Sequence, residues 1–224
     1  MSEILQRLSE CVEAGKANAK SSYPPQLKGQ PGADELCQEA LAAGVPPTDV
    51  LQLALVPAMA RTGEKFSRGE AFVPEMLLAA RAMTAAMAHL RPYFASGEVK
   101  RRGVFVIGTV AGDLHDIGKN IVAMVVEGGG WEVVDLGVDV KTEKVLEAVA
   151  RHPGCVVGLS ALLTTTMVNM EKTVREIKAR HPGTLVLVGG APVTREFCEM
   201  IGASHYSPDP QGAVEYLKSL VVAA

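Results

Sequence analysis

Residues 103–140, GVFVIGTVAGDLHDIGKNIVAMVVEGGGWEVVDLGVDV, constrain the fold of this chain more than any other stretch. An apolar run rich in β-branched residues, 104–110, has the pattern of a strand buried on both faces of a parallel sheet. It gives way to Ala111-Gly112-Asp113-Leu114-His115-Asp116-Ile117-Gly118. A helical pattern then opens at Lys119-Asn120, with Ile121, Met124 and Val125 on one face. Gly128-Gly129-Gly130 supplies a helix stop, since only glycine adopts left-handed backbone at no steric cost. A second apolar run follows at 131–136. This is a βαβ unit whose first loop carries a histidine between two carboxylates, at the edge where open α/β sheets hold their ligands.

Beyond residue 103, apolar runs alternate with helical stretches. The pattern predicts strands at 104–110, 131–136, 155–160, 184–188 and 203–206, and helices at 118–128, 141–151, 167–180, 194–201 and 210–221. Alternation of this kind specifies a five-stranded parallel sheet with helices on both faces. No internal repeat is expected.

Residues 1–92 carry helical periodicity instead. One helix opens at Ser2-Glu3, with Ile4, Leu5, Leu8 and Val12 at helical spacing, and fades near Ala19. Pro24, Pro25 and Pro31 make 21–32 a connecting loop. A second helix spans 34–43 and ends at Gly44. A third starts at Pro46-Pro47-Thr48-Asp49, with a kink predicted at Pro57. After the polar 63–69 segment, Val73-Pro74-Glu75 opens a long fourth helix to about Tyr93. Its broad face carries Met76, Leu77, Ala80, Met83, Met87 and Leu90. Four helices with short connections make a small bundle. The expected organisation is therefore a helical domain over 1–94, a linker over 95–102 and an α/β domain over 103–224.

Composition narrows the function. A formal net charge of −3 argues against a protein that lives on phosphate contacts to nucleic acid. Neither a membrane-length apolar run nor an export leader is visible. Cys11, Cys37, Cys155 and Cys198 are scattered with no C-x-x-C pair, which reads as a cytoplasmic chain without a disulfide framework.

Three sheet loops carry the unusual residues, and in a right-handed parallel sheet they share one edge. They are Asp113-Leu114-His115, the segment Ser160-Ala161-Leu162-Leu163-Thr164-Thr165-Thr166, and Gly189-Gly190-Ala191-Pro192. Taken singly, each has an ordinary explanation: a surface histidine, a helix cap at Thr165 or Thr166, a glycine turn. A phosphate-binding loop fits poorly. Five residues separate Gly112 from Gly118, where that motif has four, and Asn120 stands where a hydroxyl should hold Mg²⁺. A phosphoacceptor domain would need an aspartate where Ser160 stands. A metal reading of His115 survives better, with Asp113 available to fix the imidazole tautomer. A bare Zn or Fe centre needs three or four protein ligands. A metal already caged by a macrocycle needs one, and that arithmetic favours a tetrapyrrole-like cofactor.

Asp113-x-His115-x-x-Gly118, then 41 residues to Ser160-x-Leu162, then 26 to Gly189-Gly190, resembles the cobalamin-binding signature of B12-dependent methyltransferases and mutases. Met59-x-x-x-Gly63-x-x-Phe66-x-x-Gly69-x-x-Phe72-Val73-Pro74-Glu75 resembles the helical cap of the methyltransferase branch. The likeness covers about residues 33–222 and points to the small corrinoid proteins of methylamine, methanol and methoxy-aromatic methyltransferase systems, and to the cobalamin module of methionine synthase.

The resemblance implies a four-helix cap followed by a flavodoxin-like (Rossmann-type) B12 domain. It implies that His115 is the metal ligand, coordinating cobalt from below in place of dimethylbenzimidazole, with Asp113 bonded to it and the Thr166 hydroxyl behind Asp113. It assigns Gly112, Leu114, Asp116, Ile117 and Gly118 to the cofactor loop. The nucleotide tail falls to Ser160, Leu162, Thr164, Gly189 and Gly190, and the upper, methyl-bearing face to Phe66 and Val73. The implied role is a methyl carrier whose cobalamin cycles between methylcobalamin and cob(I)alamin states. The implied partners are a substrate-specific methyltransferase, a second methyltransferase using tetrahydrofolate or coenzyme M, and a reductive activase. An adenosylcobalamin mutase subunit and a cobalamin-dependent sensor are the alternatives. The cap argues against the first, and the lack of a basic DNA-binding helix against the second.

Overall fold

A computed structural model describes residues 2–222, with side chains placed through residue 220. The chain divides into two compact units, one made of the residues up to Arg101 together with Gly128–Gly130, the other of Arg102–Glu127 and the residues from Trp131 onward.

In the helical unit, α1 (Glu3–Glu13) buries Leu5, Leu8, Cys11 and Val12. It stops well short of the expected Ala19, for a local reason. Gly15 takes φ +72°, its N–H donates to Val12 O, and the Lys16 N–H donates to Cys11 O. This left-handed cap closes the helix over its last carbonyls. The proline-rich loop that follows contains one 3₁₀ turn, Pro25–Leu27. It is tied down by polar groups: the Glu35 carboxylate accepts from the N–H groups of Ala19 and Gly32, and the buried Lys16 ammonium donates to Ser21 O at 2.8 Å.

Helix α2 (Ala33–Ala42) starts at that Gly32 cap. The third helical stretch comprises α3 (Pro47–Asp49), a π-helical segment Val50–Leu55, and α4 (Val56–Ser67). The kink predicted at Pro57 takes the form of this wider winding. Proline lacks an N–H and its ring crowds the carbonyl four residues back, and a π turn relieves that crowding without ending the helix. Helix α5 (Val73–Ala95) buries an alanine- and methionine-rich face, including Met76, Ala79, Met83, Ala86 and Leu90. At its start the Glu75 carboxylate accepts from the Phe72 N–H.

In the α/β unit the strands are β1 (Val104–Thr109), β2 (Glu132–Asp135), β3 (Val156–Ser160), β4 (Leu185–Gly189) and β5 (His205–Tyr206). They pair in parallel in the order β2-β1-β3-β4-β5. That is the flavodoxin-like order, whose ligand crevice lies where β1 and β3 part in connection. The helices are α6 (Ile117–Gly128), α7 (Thr142–Arg151), α8 (Met167–Arg180), α9 (Arg195–Met200) and α10 (Pro210–Val222). Val106, Val157, Val186 and Val188 on the strands, with Val149, Met170, Val174 and Ile177 on the helices, form one almost fully buried core.

Register decides where the site falls. Thr109 pairs with Ser160, and Ser160 pairs with Gly189. The last residues of β1, β3 and β4 therefore stand abreast, and the three loops leave the sheet side by side.

At the opposite edge one expectation fails. The pentapeptide Ala-Arg-His-Pro-Gly occurs twice, at 150–154 and 179–183. Both copies turn a helix into a strand, with His152 and His181 at the helix ends in nearly the same backbone conformation (φ −125°, ψ 71° and φ −136°, ψ 67°). The repeat is a recurring turn: the histidine leaves the helix and proline prevents its resumption.

Candidate corrinoid site

Asp113 lies at the centre of the loop edge with no exposed surface. Its Oδ1 accepts from His115 Nδ1 at 2.8 Å and from the His115 N–H at 3.1 Å. Its Oδ2 accepts from the N–H groups of Leu162 (2.7 Å) and Leu163 (3.2 Å) and from the Thr166 hydroxyl (2.8 Å). Burial alone would push this carboxyl up. Donors from Leu162, His115 and Thr166 outweigh it and hold the group well below the usual carboxylate range. An ionised carboxylate can only accept, so the proton of the bonded imidazole nitrogen sits on Nδ1. The Nε2 lone pair of His115 is left to bind an electrophile. The His115 side chain is 51% exposed, so this nitrogen is open to a ligand from outside.

The loop is held from below as well. The fully buried Thr109 donates its hydroxyl to the His115 carbonyl at 2.9 Å. Thr166 stands at the N-cap of α8 but makes no side-chain cap bond. Its hydroxyl is turned to Asp113 and Leu163 instead. Around the histidine, Leu114 (72%), Ile117 (67%), Leu162 and Leu163 (both 42%) are exposed apolar side chains. Apolar surface clustered on functional loops marks a binding face.

Beside this edge lies a cleft of about 370 Å³, lined by Gly118, Ser160, Gly189, Gly190, Phe105, Tyr206 and their neighbours. Glycines shape its walls. A Cβ on Gly158 would lie 2.5 Å from the Phe105 ring, and one on Gly190 (φ +124°) would lie 1.9 Å from the Ala161 carbonyl oxygen. Gly118 meets nothing within 4 Å of such a position, so its side of the cleft is open.

Of the residues singled out in the sequence, Asp113, His115 and Thr166 form one hydrogen-bonded chain. Gly118, Ser160, Gly189 and Gly190 line the cleft. Gly112 (φ +81°) makes the turn into the loop. Asp116 accepts from Asn120, and Thr164 is exposed on the β3 loop. Phe66 and Val73, both half-buried, stand in the helical unit, at the end of α4 and the start of α5. Sequence reasoning missed Thr109, Asp139 and Lys119. It also missed the fourth loop at the same edge, Ser207-Pro208-Asp209-Pro210, which lines the cleft. Applying the strand-edge rule to the weak fifth strand would have found that loop.

These residues fit a group whose metal is already ringed. Among the described residues no set of three or more His, Cys, Asp or Glu is placed to hold a metal ion. One imidazole nitrogen is free, an apolar face surrounds it, and a glycine-walled cleft runs beside it.

Comparison with known proteins agrees. A B12-binding-domain model matches residues 103–210 and a second B12-binding-domain model matches residues 30–91. The trimethylamine corrinoid protein of Methanosarcina barkeri is 40% identical over 192 residues, covering 84% of this chain and 88% of that one. The chain belongs to the corrinoid-protein family. Its cofactor is a cobalamin. Dimethylamine corrinoid protein 1 of Methanosarcina mazei is 35% identical over 223 residues, covering 98% of this chain and 97% of the relative. Among solved structures, the methanol:cobalamin methyltransferase complex MtaBC from Methanosarcina barkeri matches with a TM-score of 0.82 at 26% identity, covering all of this chain and 81% of that one. In this corrinoid protein no helix among the described residues is long and apolar enough to cross a membrane.

Proposed function

We propose that this corrinoid protein is a methyl carrier, and that His115 Nε2 is the single protein ligand to the corrinoid metal. The bound corrinoid supplies a cobalt centre that can take a methyl group and give it up. The protein's own residues do the rest. Asp113 fixes the tautomer and orientation of His115, and Thr166 fixes Asp113. With Asp113 ionised, the imidazole proton would stay on Nδ1, so Nε2 would be the nitrogen offered to the metal. Leu114, Ile117, Leu162 and Leu163 offer an apolar seat that excludes water from beneath the ring. The cleft from Gly118 past Ser160 to Gly189 and Gly190 takes the elongated tail of the cofactor.

The observation that carries this reading is the His115 imidazole, bonded through Nδ1 to a carboxylate with five donors and open at Nε2, in a chain 40% identical to a trimethylamine corrinoid protein. The partners we assign are a substrate-specific methyltransferase, a second methyltransferase that hands the methyl group to tetrahydrofolate or coenzyme M, and a reductive activase. The kinship with a methanol:cobalamin methyltransferase complex supports the first of these. Four free, buried cysteines support a reducing, cytoplasmic setting.

The test is reconstitution with hydroxocobalamin followed by EPR of the Co(II) form. The expected spectrum shows nitrogen splitting from imidazole, lost in His115→Ala. Splitting from dimethylbenzimidazole, or no corrinoid uptake, would refute the assignment. Methylation of the loaded protein by a methylamine or methanol methyltransferase would then establish the carrier role. A protein that takes up corrinoid but accepts methyl groups from no such enzyme would overturn it.

A further inference from the structure

Asp139 is the one non-glycine residue at positive φ among the described residues, at +50°. Aspartate tolerates this region better than most side chains, but such positions persist only where surrounding contacts enforce them, and they gather at functional sites. The contacts here are specific. The Asp139 carboxylate accepts from the Gly112 N–H at 2.7 Å. The Asp139 N–H donates to the Asp113 carbonyl at 2.9 Å. One residue on the β2–α7 connection thus grips both peptides that lead into the histidine loop.

The grip has a firm base. The Thr109 N–H donates to Gly137 O at 3.0 Å and the Val140 N–H donates to Thr109 O at 2.9 Å, so the 137–140 turn is fastened to the end of β1 on either side of Asp139. Val140, 3% exposed, is anchored in the core and bridges to Val110.

We infer that Asp139 is a positioning residue for His115: it sets the backbone of Gly112 and Asp113, and through the Asp113 carboxylate the direction of the imidazole. This rests on the reading of His115 as the metal ligand. Asp139 need not touch the cofactor to act. A small rotation at the Asp113 peptide is carried to Nε2 by the two Asp113–His115 hydrogen bonds.

Three proteins separate this role from that of an ordinary turn residue. Asp139→Gly accepts φ +50° freely and removes only the carboxylate. Asp139→Asn keeps both the conformation and a side-chain oxygen acceptor. Each variant is loaded with hydroxocobalamin, reduced to Co(II), and examined by EPR beside the wild type, with thermal unfolding as a check on the fold. In Asp139→Gly the ratio of His-ligated to unligated cobalt should fall about three- to tenfold, the worth of one ordinary hydrogen bond. The unfolding temperature should stay close to that of the wild type, and Asp139→Asn should keep the wild-type ratio. An unchanged ratio in Asp139→Gly would overturn the inference, as would an equal loss in both variants. Absence of imidazole splitting in the wild type itself would instead bring down the His115 assignment on which the inference stands.

Discussion

Asp113 and His115 are joined twice within three residues, ring nitrogen to Oδ1 at 2.8 Å and backbone N–H to the same oxygen at 3.1 Å. The carboxylate has no exposed surface while the imidazole is half open. A buried acceptor and an exposed ring have opposite consequences for stability and function, and the two residues should separate cleanly under mutation.

His115→Ala removes one of five donors from Asp113 and an exposed ring, so it should cost less than about 1 kcal/mol of folding stability. Asp113→Asn places an NH₂ group against donors in a fully buried site and should cost about 2–3 kcal/mol. Thr166→Val, which deletes one donor at nearly constant volume, should fall between them. Urea unfolding of the corrinoid-free protein measures all three. A larger loss in His115→Ala than in Asp113→Asn would contradict this assignment of roles.

The glycine walls of the cleft predict a second ordering. Gly158→Ala must displace the Phe105 ring, 2.5 Å from the new methyl group, and overpacking of this kind costs about 1–3 kcal/mol. Gly190→Ala meets a backbone carbonyl at 1.9 Å with φ at +124°, and neither can yield cheaply. Gly190→Ala should therefore lower thermal stability more than Gly158→Ala, and both should weaken corrinoid uptake measured by absorbance titration. Gly118→Ala, with open space around it, should fold like the wild type.

Lys119 is 98% buried and donates to Asp135 Oδ2 and, at 2.6 Å, to Asn120 Oδ1, while the Asp135 side chain is 40% exposed. Removing the exposed partner strands the buried charge, whereas replacing the lysine with an apolar chain of similar length leaves a carboxylate that water can reach. Asp135→Ala should cost about 3 kcal/mol and Lys119→Met about 1 kcal/mol or less. Chemical denaturation of the two variants tests the asymmetry, and equal losses would contradict it.

Glu35 predicts a pH dependence in the helical unit. Burial pushes its carboxyl up, but the Ala19 and Gly32 N–H groups, with the Lys16 ammonium, hold it below its ordinary 4.5. A depressed pKa means that folding favours the ionised form. Its contribution is fully present above about pH 4.5 and is lost as the pH falls through the lower, folded value. Glu35→Gln should cost about 1 kcal/mol at neutral pH, a figure discounted for the solvent reaching this half-exposed group. The gap to the wild type should close below about pH 4. A gap that persists undiminished into strong acid would assign the loss to packing instead of charge.

Much of this architecture is legible in the sequence. Apolar periodicity located four helical stretches and five strands, and their alternation specified a parallel sheet. The spacing of Asp113, His115, Gly118, Ser160 and Gly189-Gly190 pointed to one loop edge. Local pattern failed where a short-range device overrode it. Gly15 cut α1 short by capping it, and the approach to Pro57 was wound into a π segment.

What the sequence by itself determined is which residues must be buried, where helices and strands start and stop, and that one histidine sits beside one carboxylate in a strand-to-helix loop. Those properties follow from side-chain chemistry and nearest neighbours along the chain. Only the tertiary structure decided that Thr109, Ser160 and Gly189 end abreast, that Thr166 reaches back 53 residues to Asp113, and that Asp139 grips the Gly112 N–H and the Asp113 carbonyl. Such contacts depend on strand order and register. A periodicity records which face of an element is apolar but not which partner covers it, so the proton on His115 Nδ1 could be placed only once the sheet had brought its distant donors together.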